Sequence, residues 1–177
     1  SIAFERLAEA AADDAPIPCT IATQTPVQRY GVFEVLDCSE TGVDLSRSPL
    51  PLIVSHDSQQ LSIGLVENLR SMGDRVAGDV RFVSSPEAQQ VRADVLGGIH
   101  RSLSVGYVHL DEGTPVDGGF MYRWQPYEVS IVSVPADPQA GFFRSLNMTM
   151  TNPNQTREAV DALCTRSFDQ VAYLTTH

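Results

Sequence analysis

The chain has 177 residues, which suffices for one domain with a tail, and 42% hydrophobic against 19% charged residues is typical of a globular protein. Twelve lysines and arginines against 22 aspartates and glutamates give a net charge of −10, which disfavours binding to nucleic acid phosphates. The sequence contains no stretch of 18 uncharged apolar residues, so no membrane span is predicted. The three cysteines include no CxxC pair, so we expect reduced thiols, no structural zinc and a cytoplasmic protein.

The elements follow in chain order. Residues 1–15 are rich in helix formers and are predicted to be a lead segment. From residue 18 the pattern changes to alternating, β-branched residues that predict short strands. These strands are predicted over 19–25, 29–37, 48–56, 61–83 (two strands joined by a turn at 71–74), 101–110, 118–124 and 126–135.

Two of these segments carry particular expectations. Prolines interrupt the apolar run at 48–56, which predicts an edge strand or an irregular approach to a site. The clearest helix begins after Ser84 or Ser85, has Pro86 at its first position, and stops at the glycine pair 97–98. The predicted inner face of this helix consists of Ala88, Val91, Val95 and Leu96.

Many short strands with one internal helix predict a mainly β protein of the α+β class. We expect a closed or nearly closed β-barrel with at least one packed helix over residues 16–145. Residues 146–177 begin as a polar linker and continue with a helical pattern. This tail is predicted to be the first part of a helical region that continues in a longer chain.

Three stretches of the sequence carry reactive side chains. His56 ends an apolar run, Ser104 lies in a strand that places residues 102, 104 and 106 on one face, and Glu128 interrupts an apolar strand. A buried carboxylate needs a partner, so Glu128 is either an edge charge or half of a hydrogen-bonded pair. A serine hydroxyl needs a base, and a histidine base needs an orienting group. The three residues therefore supply the parts of an acyl-transfer site.

The sequence resembles the HK97-type prohead proteases, the capsid-maturation serine proteases of tailed phages. The resemblance covers roughly residues 26–145, and its motifs appear in the order found in that family. The matching stretches are Leu52–Asp57, Ile63–Val66, Gly98–Tyr107 and Trp124–Pro138.

This resemblance implies a herpesvirus-protease-like β-barrel with a serine nucleophile. It carries the histidine of the HD motif to His56, the serine of the LS[IV]G[FY] motif to Ser104, and the acid of the EVS strand to Glu128. The chain departs from the family at Ser55, where asparagine is frequent, and at Ser102, where glycine is frequent. Some members of this family resemble fusions in which the protease is followed by a scaffold-like helical region and then by the major capsid protein. The resemblance therefore implies that this chain is the protease part of such a fusion and that residues 146–177 begin the scaffold-like region.

An acyl-transfer site also needs donors for the oxyanion. The candidates are the backbone N–H groups of Val105 and Gly106, together with the side chains of Arg101 or Arg123. The sequence does not choose between these groups.

The sequence also offers alternative residues for the site. Ser102 is a competing hydroxyl on the same strand face, and His100 could replace the acid as third member. Cys38 as a thiol nucleophile is disfavoured, because neighbouring Asp37 would raise its pKa. The acidic residues within 111–117 are expected to form a solvated loop rather than a metal site.

The resemblance implies the function of a serine endopeptidase that cleaves scaffold and capsid-precursor segments, including its own chain, inside the assembling prohead in the host cytoplasm. It would need no metal or organic cofactor, and its partners would be the phage major capsid protein and a scaffold segment, without nucleic acid or membrane. The sequence does not decide whether the protein forms a homo-oligomer. The rival is a non-catalytic, protease-like assembly module, and a generic β-barrel binding domain is a third reading.

Overall fold

The structure is a computed structural model that describes residues 15–144. The strands and the helix of this range alternate with short turns. They are β1 (Ile17–Thr23), β2 (Val27–Arg29), β3 (Val32–Leu36), β4 (Leu50–Val54), β5 (Gly64–Ser71), β6 (Arg75–Phe82), α1 (Pro86–Leu96), β7 (Ser102–His109), β8 (Thr114–Val116), β9 (Gly119–Tyr122), β10 (Trp124–Val132) and β11 (Gly141–Phe142).

Seven of these strands close into a barrel in the order β1-β11-β7-β10-β4-β5-β6, with β6 paired to β1. All neighbours are antiparallel except β10 and β4, which run parallel. Side chains of the alternating apolar positions fill the interior, as the period of two requires. Its largest fully buried members include Trp124, Ile21, Leu50, Leu52 and Leu103. The mainly β fold with a closed barrel and a packed helix is thereby confirmed.

A second sheet of four short strands has the order β2-β3-β9-β8. The sequence predicts a single strand over 29–37, and this prediction is wrong. Tyr30 and Gly31 have φ values of 50° and 88°, so the chain reverses there, and Arg29 pairs with Val32. Positive φ at both central residues is the signature of a tight hairpin turn.

Strand β4 is part of the closed barrel wall and has a neighbouring strand on each side. Of the two alternatives predicted for this segment, the edge strand is therefore wrong. It pairs with β5 on one side and with β10 on the other. Pro51 pairs with Leu65 of β5 and precedes the residues paired with β10, which begin at Leu52. The central position of β4 matters for function, because its last residue leads directly into the turn that carries His56.

Helix α1 packs against β6 and is capped as predicted. The Ser85 side chain accepts a hydrogen bond from the N–H of Ala88, and the N–H of Gly97 closes the last turn. Ala88 and Val95 are buried, but Leu96 is 42% exposed and Arg92 is buried instead. The predicted inner face is therefore wrong at Leu96, because the packed stripe runs through Ala88, Arg92 and Val95 at helical spacing.

Some predictions lie outside the described residues. These are the lead segment up to residue 14 and the linker and helix over 146–177. The outer bounds of the barrel domain stay a prediction for the same reason. Within residues 15–144, no helix is long and apolar enough to cross a membrane.

Candidate active site

The site begins at the turn that follows β4. Ser55 and His56 have φ values of 53° and 57°, and the N–H of Asp57 donates to the Val54 carbonyl at 3.0 Å. Consecutive positive φ values within such a closed turn are unusual for residues other than glycine. The N–H of Ser55 donates to the Ile131 carbonyl at 3.0 Å, which ties the turn to β10. His56 is thus held beside β10 by the backbone.

A β-bulge in β10 sets the direction of the Glu128 side chain. Pro126 pairs with Tyr107 and Glu128 pairs with the next residue, Gly106, so Tyr127 has no partner on β7. The extra residue changes which face of the strand the following side chains occupy. Tyr127 is 44% exposed, whereas Glu128 is only 7% exposed. The bulge therefore turns a carboxylate toward the turn that carries His56.

His56 and Glu128 form the central contact of the site. Nδ1 of His56 lies 2.6 Å from Oε1 of Glu128, a distance typical of a short, charge-assisted hydrogen bond. The Glu128 side chain is 9% exposed and the His56 side chain 45% exposed. Since Nδ1 is engaged, Nε2 is the imidazole nitrogen left for another group. Glu128 is therefore half of a hydrogen-bonded pair and not an edge charge.

Ser130 supports both members of this pair. Its hydroxyl accepts a hydrogen bond from the backbone N–H of His56 at 3.0 Å and donates one to Oε2 of Glu128 at 3.0 Å. Ser130 is completely buried. Sequence reasoning did not identify this residue as functional; the available signal was a serine two positions after the acid on an otherwise apolar strand.

Ser104 lies on the same face of the sheet as these groups. It is paired with Ser130 across β7 and β10, next to the pair formed by Gly106 and Glu128. Directly opposite residues of antiparallel strands place their side chains on the same face. Ser104, His56 and Glu128 all line one cavity of about 460 Å³. Among residues 15–144 no hydrogen bond joins Ser104 to His56, so the shared cavity wall is what brings them together.

Another wall of this cavity comes from the second sheet and the end of β7. Glu34 accepts a hydrogen bond from the Tyr107 hydroxyl, and its other oxygen lies 3.1 Å from Nε2 of His109. Arg29 adds an ion pair to Glu34 at 3.5 Å. Burial, followed by the contact with Glu34, raises the pKa of Tyr107. No sequence pattern indicated this cluster, which joins β2 and β3 to the barrel beside the site.

The oxyanion candidates separate into two groups. Val105 and Gly106 line the cavity beside Ser104. Arg101 instead donates from Nε to the Gly98 carbonyl at 2.5 Å, and Arg123 donates from Nε to the Thr41 carbonyl at 3.1 Å. Neither arginine lines the cavity. Of the oxyanion candidates, only the two residues of β7 therefore line the cavity.

The competing residues lie elsewhere. Ser102 pairs with Gly141 at the start of β7 and does not line the cavity, and Nε2 of His100 lies 4.0 Å from a carboxylate oxygen of Asp94. Cys38 is fully buried; burial first, then nearby carboxylates, raise its pKa to about 12, which leaves it an unreactive thiol.

The remaining candidates have structural surroundings. The carboxylate of Asp111 accepts hydrogen bonds from the N–H groups of Gly113 and Arg123 and so closes its own loop. Across residues 15–144, no cluster of three or more histidine, cysteine or acidic side chains could hold a metal ion. Trp124 is a core residue whose indole N–H donates to the Asp37 carbonyl at 2.9 Å.

Comparisons with known proteins give three findings. No family model matches the chain. The chain is 41% identical over 138 residues, or 72% of its length, to the major capsid protein of Halomonas phage phiHAP-1 (isolate -/Gulf of Mexico/-/2001), of which the match covers 23%. The chain thus spans less than a quarter of this relative. The relation to a phage capsid protein expected from the resemblance is confirmed.

A solved structure of KSHV protease in complex with a hexapeptide phosphonate inhibitor is similar to the chain with a TM-score of 0.47 at 10% identity. The similarity covers 86% of this chain and 77% of that one.

Proposed function

We propose that the chain is a serine endopeptidase of phage capsid maturation, with Ser104 as nucleophile, His56 as base and Glu128 as orienting acid. The observation that carries this proposal is the 2.6 Å contact between His56 and Glu128 in the wall of a cavity that Ser104 also lines. A histidine with one nitrogen on a carboxylate and the other free is arranged to accept a proton from a hydroxyl.

In the first step, Oγ of Ser104 attacks the scissile carbonyl carbon while Nε2 of His56 accepts the hydroxyl proton. Glu128 keeps the Nδ1 proton of His56 in place and stabilises the imidazolium that forms. The buried position of Glu128 strengthens this interaction, because little water screens the carboxylate. The tetrahedral intermediate carries its negative charge on the former carbonyl oxygen.

The intermediate then collapses to an acyl-enzyme. His56 returns its proton to the leaving amine, the peptide C–N bond breaks, and the acyl group stays on Ser104. Water, deprotonated by His56, then attacks the carbonyl carbon of this ester. The ester C–O bond breaks, the second product leaves with a new carboxyl group, and His56 returns the proton to Oγ of Ser104. Backbone N–H groups near Val105 and Gly106 are the oxyanion donors favoured by their position in the cavity wall.

The substrate assignment draws on the relative. Its name, major capsid protein, supports association of this chain with a capsid, and the match to under a quarter of that protein supports the protease as one part of a longer polypeptide. We therefore propose that capsid-precursor and scaffold segments, including parts of its own polypeptide, are cleaved inside the assembling prohead in the host cytoplasm.

The experiment compares the full-length precursor as wild type and as Ser104→Ala by intact-mass analysis, with Ser102→Ala as a matched control on the same strand. We expect discrete fragments from the wild type and from Ser102→Ala, and an intact chain from Ser104→Ala. Equal fragmentation of wild type and Ser104→Ala would exclude Ser104 as nucleophile.

If the wild type stays intact within assembled proheads as well, the endopeptidase assignment fails and the non-catalytic assembly module replaces it. The same assembled sample yields the cleavage sites when fragments do form, because their masses give the positions at which the chain was cut.

A further inference from the structure

We infer that Ser130 is a positioning residue that couples the acid of the site to its base. This inference rests on the proposed function. Ser130 is completely buried and contacts two different partners, the backbone of His56 and the carboxylate of Glu128. No other side chain among residues 15–144 bonds to both of these residues.

The direction of each hydrogen bond follows from simple counting. The backbone N–H of His56 can only donate, so the Ser130 oxygen accepts. The single proton of the hydroxyl is then free for Oε2 of Glu128, which can only accept while it is ionised. The two hydrogen bonds therefore form a series that runs from the His56 N–H through the Ser130 hydroxyl to the Glu128 carboxylate, and every donor in it has an acceptor.

This series of hydrogen bonds determines how the Glu128 carboxylate is oriented. With Oε2 held by Ser130, Oε1 is the oxygen left to meet Nδ1 of His56 at 2.6 Å. The same hydroxyl holds the backbone of His56, whose φ of 57° needs support from its surroundings. Ser130 thus holds both ends of the contact between acid and base.

Removing the hydroxyl should affect the reaction more than the fold. The carboxylate would lose one of its fixed donors, and the turn at His56 would lose one of its links to β10. A displacement of about 1 Å at a reacting group costs on the order of 100-fold in rate. We therefore expect Ser130→Ala to lower the reactivity of Ser104 by about 10- to 100-fold.

The test measures how fast a fluorophosphonate reagent modifies Ser104 in the full 177-residue chain, followed by intact mass. Ser130→Ala is compared with wild type and with Ser71→Ala. The Ser71 hydroxyl also donates one hydrogen bond, to the Cys38 carbonyl, and accepts another, from the Gly73 N–H, but Ser71 does not line the cavity. Ser71→Ala should react like wild type. Ser130→Cys keeps a side-chain hydrogen-bond donor, although a weaker and slightly larger one, and serves if Ser130→Ala does not fold.

A second measurement separates positioning from general stability. The proton between Nδ1 of His56 and Glu128 should give a far-downfield ¹H NMR resonance that disappears in Glu128→Gln. We expect this resonance to shift or broaden in Ser130→Ala and Ser130→Cys, and to stay in place in Ser71→Ala.

The outcomes are distinguishable. If Ser104→Ala is modified as fast as wild type, the proposed function itself fails. If Ser104→Ala is unreactive while folded Ser130→Ala or Ser130→Cys keeps the wild-type rate and resonance, the proposed function survives and the role of Ser130 is overturned.

Discussion

Gly106 lies directly opposite Glu128, and the carboxylate occupies the space where a side chain of Gly106 would stand. A β-carbon at position 106 would come within 2.8 Å of both Cγ and Cδ of Glu128, closer than real β-carbons approach other atoms. Glu128 cannot simply move aside, because His56 and Ser130 hold its two oxygens. The glycine two residues after Ser104 is thus explained by the acid and not by a turn.

Gly106→Ala should therefore inactivate the site while leaving the barrel folded. The added methyl group displaces the carboxylate from His56, so we expect modification of Ser104 by a fluorophosphonate to slow by about 100-fold. The measurement is the labelling rate by intact mass, with circular dichroism to check the fold.

The matched control is Gly97→Ala, which adds the same methyl group at a glycine with a φ of −71° at the end of α1. Its labelling rate should equal that of wild type. A normal rate in Gly106→Ala would mean that Glu128 is not the orienting acid.

Ser55 offers a prediction about stability. It is exposed and has a φ of 53°, a conformation that asparagine adopts more readily than serine. Ser55→Asn should raise the free energy of unfolding by about 0.5–1 kcal/mol, because less strain is stored in the turn. Urea unfolding measures the change, and Ser58→Asn, at an exposed residue without positive φ, should give no gain. A loss of stability in Ser55→Asn would show that the serine itself supports the turn.

The burial of Cys19 and Cys38 allows predictions about the alkylation of their thiols and about the pH dependence of stability. Burial raises the pKa of Cys19 and of Cys38 from 9.0 to about 12. Both should resist iodoacetamide at about pH 8 in a Cys164→Ala variant of the native chain, and react once the chain is unfolded in urea. Rapid alkylation of the native variant would contradict the burial of these thiols.

The same pKa values predict that stability falls in alkaline solution. Because the folded chain keeps protons that the unfolded chain releases above pH 9, the stabilisation is fully present below pH 9 and is lost as the pH rises toward 12. Urea midpoints at about pH 8 and pH 10 measure this change. Cys38→Ala should reduce the difference between the two midpoints, and an equal difference in that variant would exclude Cys38 as a source.

Much of the fold follows from local patterns. The period-two strands and the helix capped by Ser85 were predictable because alternation and capping are properties of neighbouring residues. The number of short strands with a single helix favoured a closed barrel. The errors have two different causes. The reversal at Tyr30 and Gly31 is local, but Tyr-Gly is not one of the Asn-Gly or Asp-Gly pairs that signal a hairpin in a sequence. The central place of β4 depends on β10, which is distant in sequence, and no local signal reports that partner.

The sequence by itself determined the kinds of residue available to the site: a histidine after an apolar run, a serine and a glycine on one strand face, and a carboxylate in an apolar strand. Only the tertiary structure decided which of them meet. His56 contacts Glu128 and Ser130 from 72 and 74 positions away, and those contacts depend on a parallel strand pair and a one-residue bulge. Shifting the register by one residue would turn these side chains to the other face, so their meeting is a property of the packed barrel and not of any local segment.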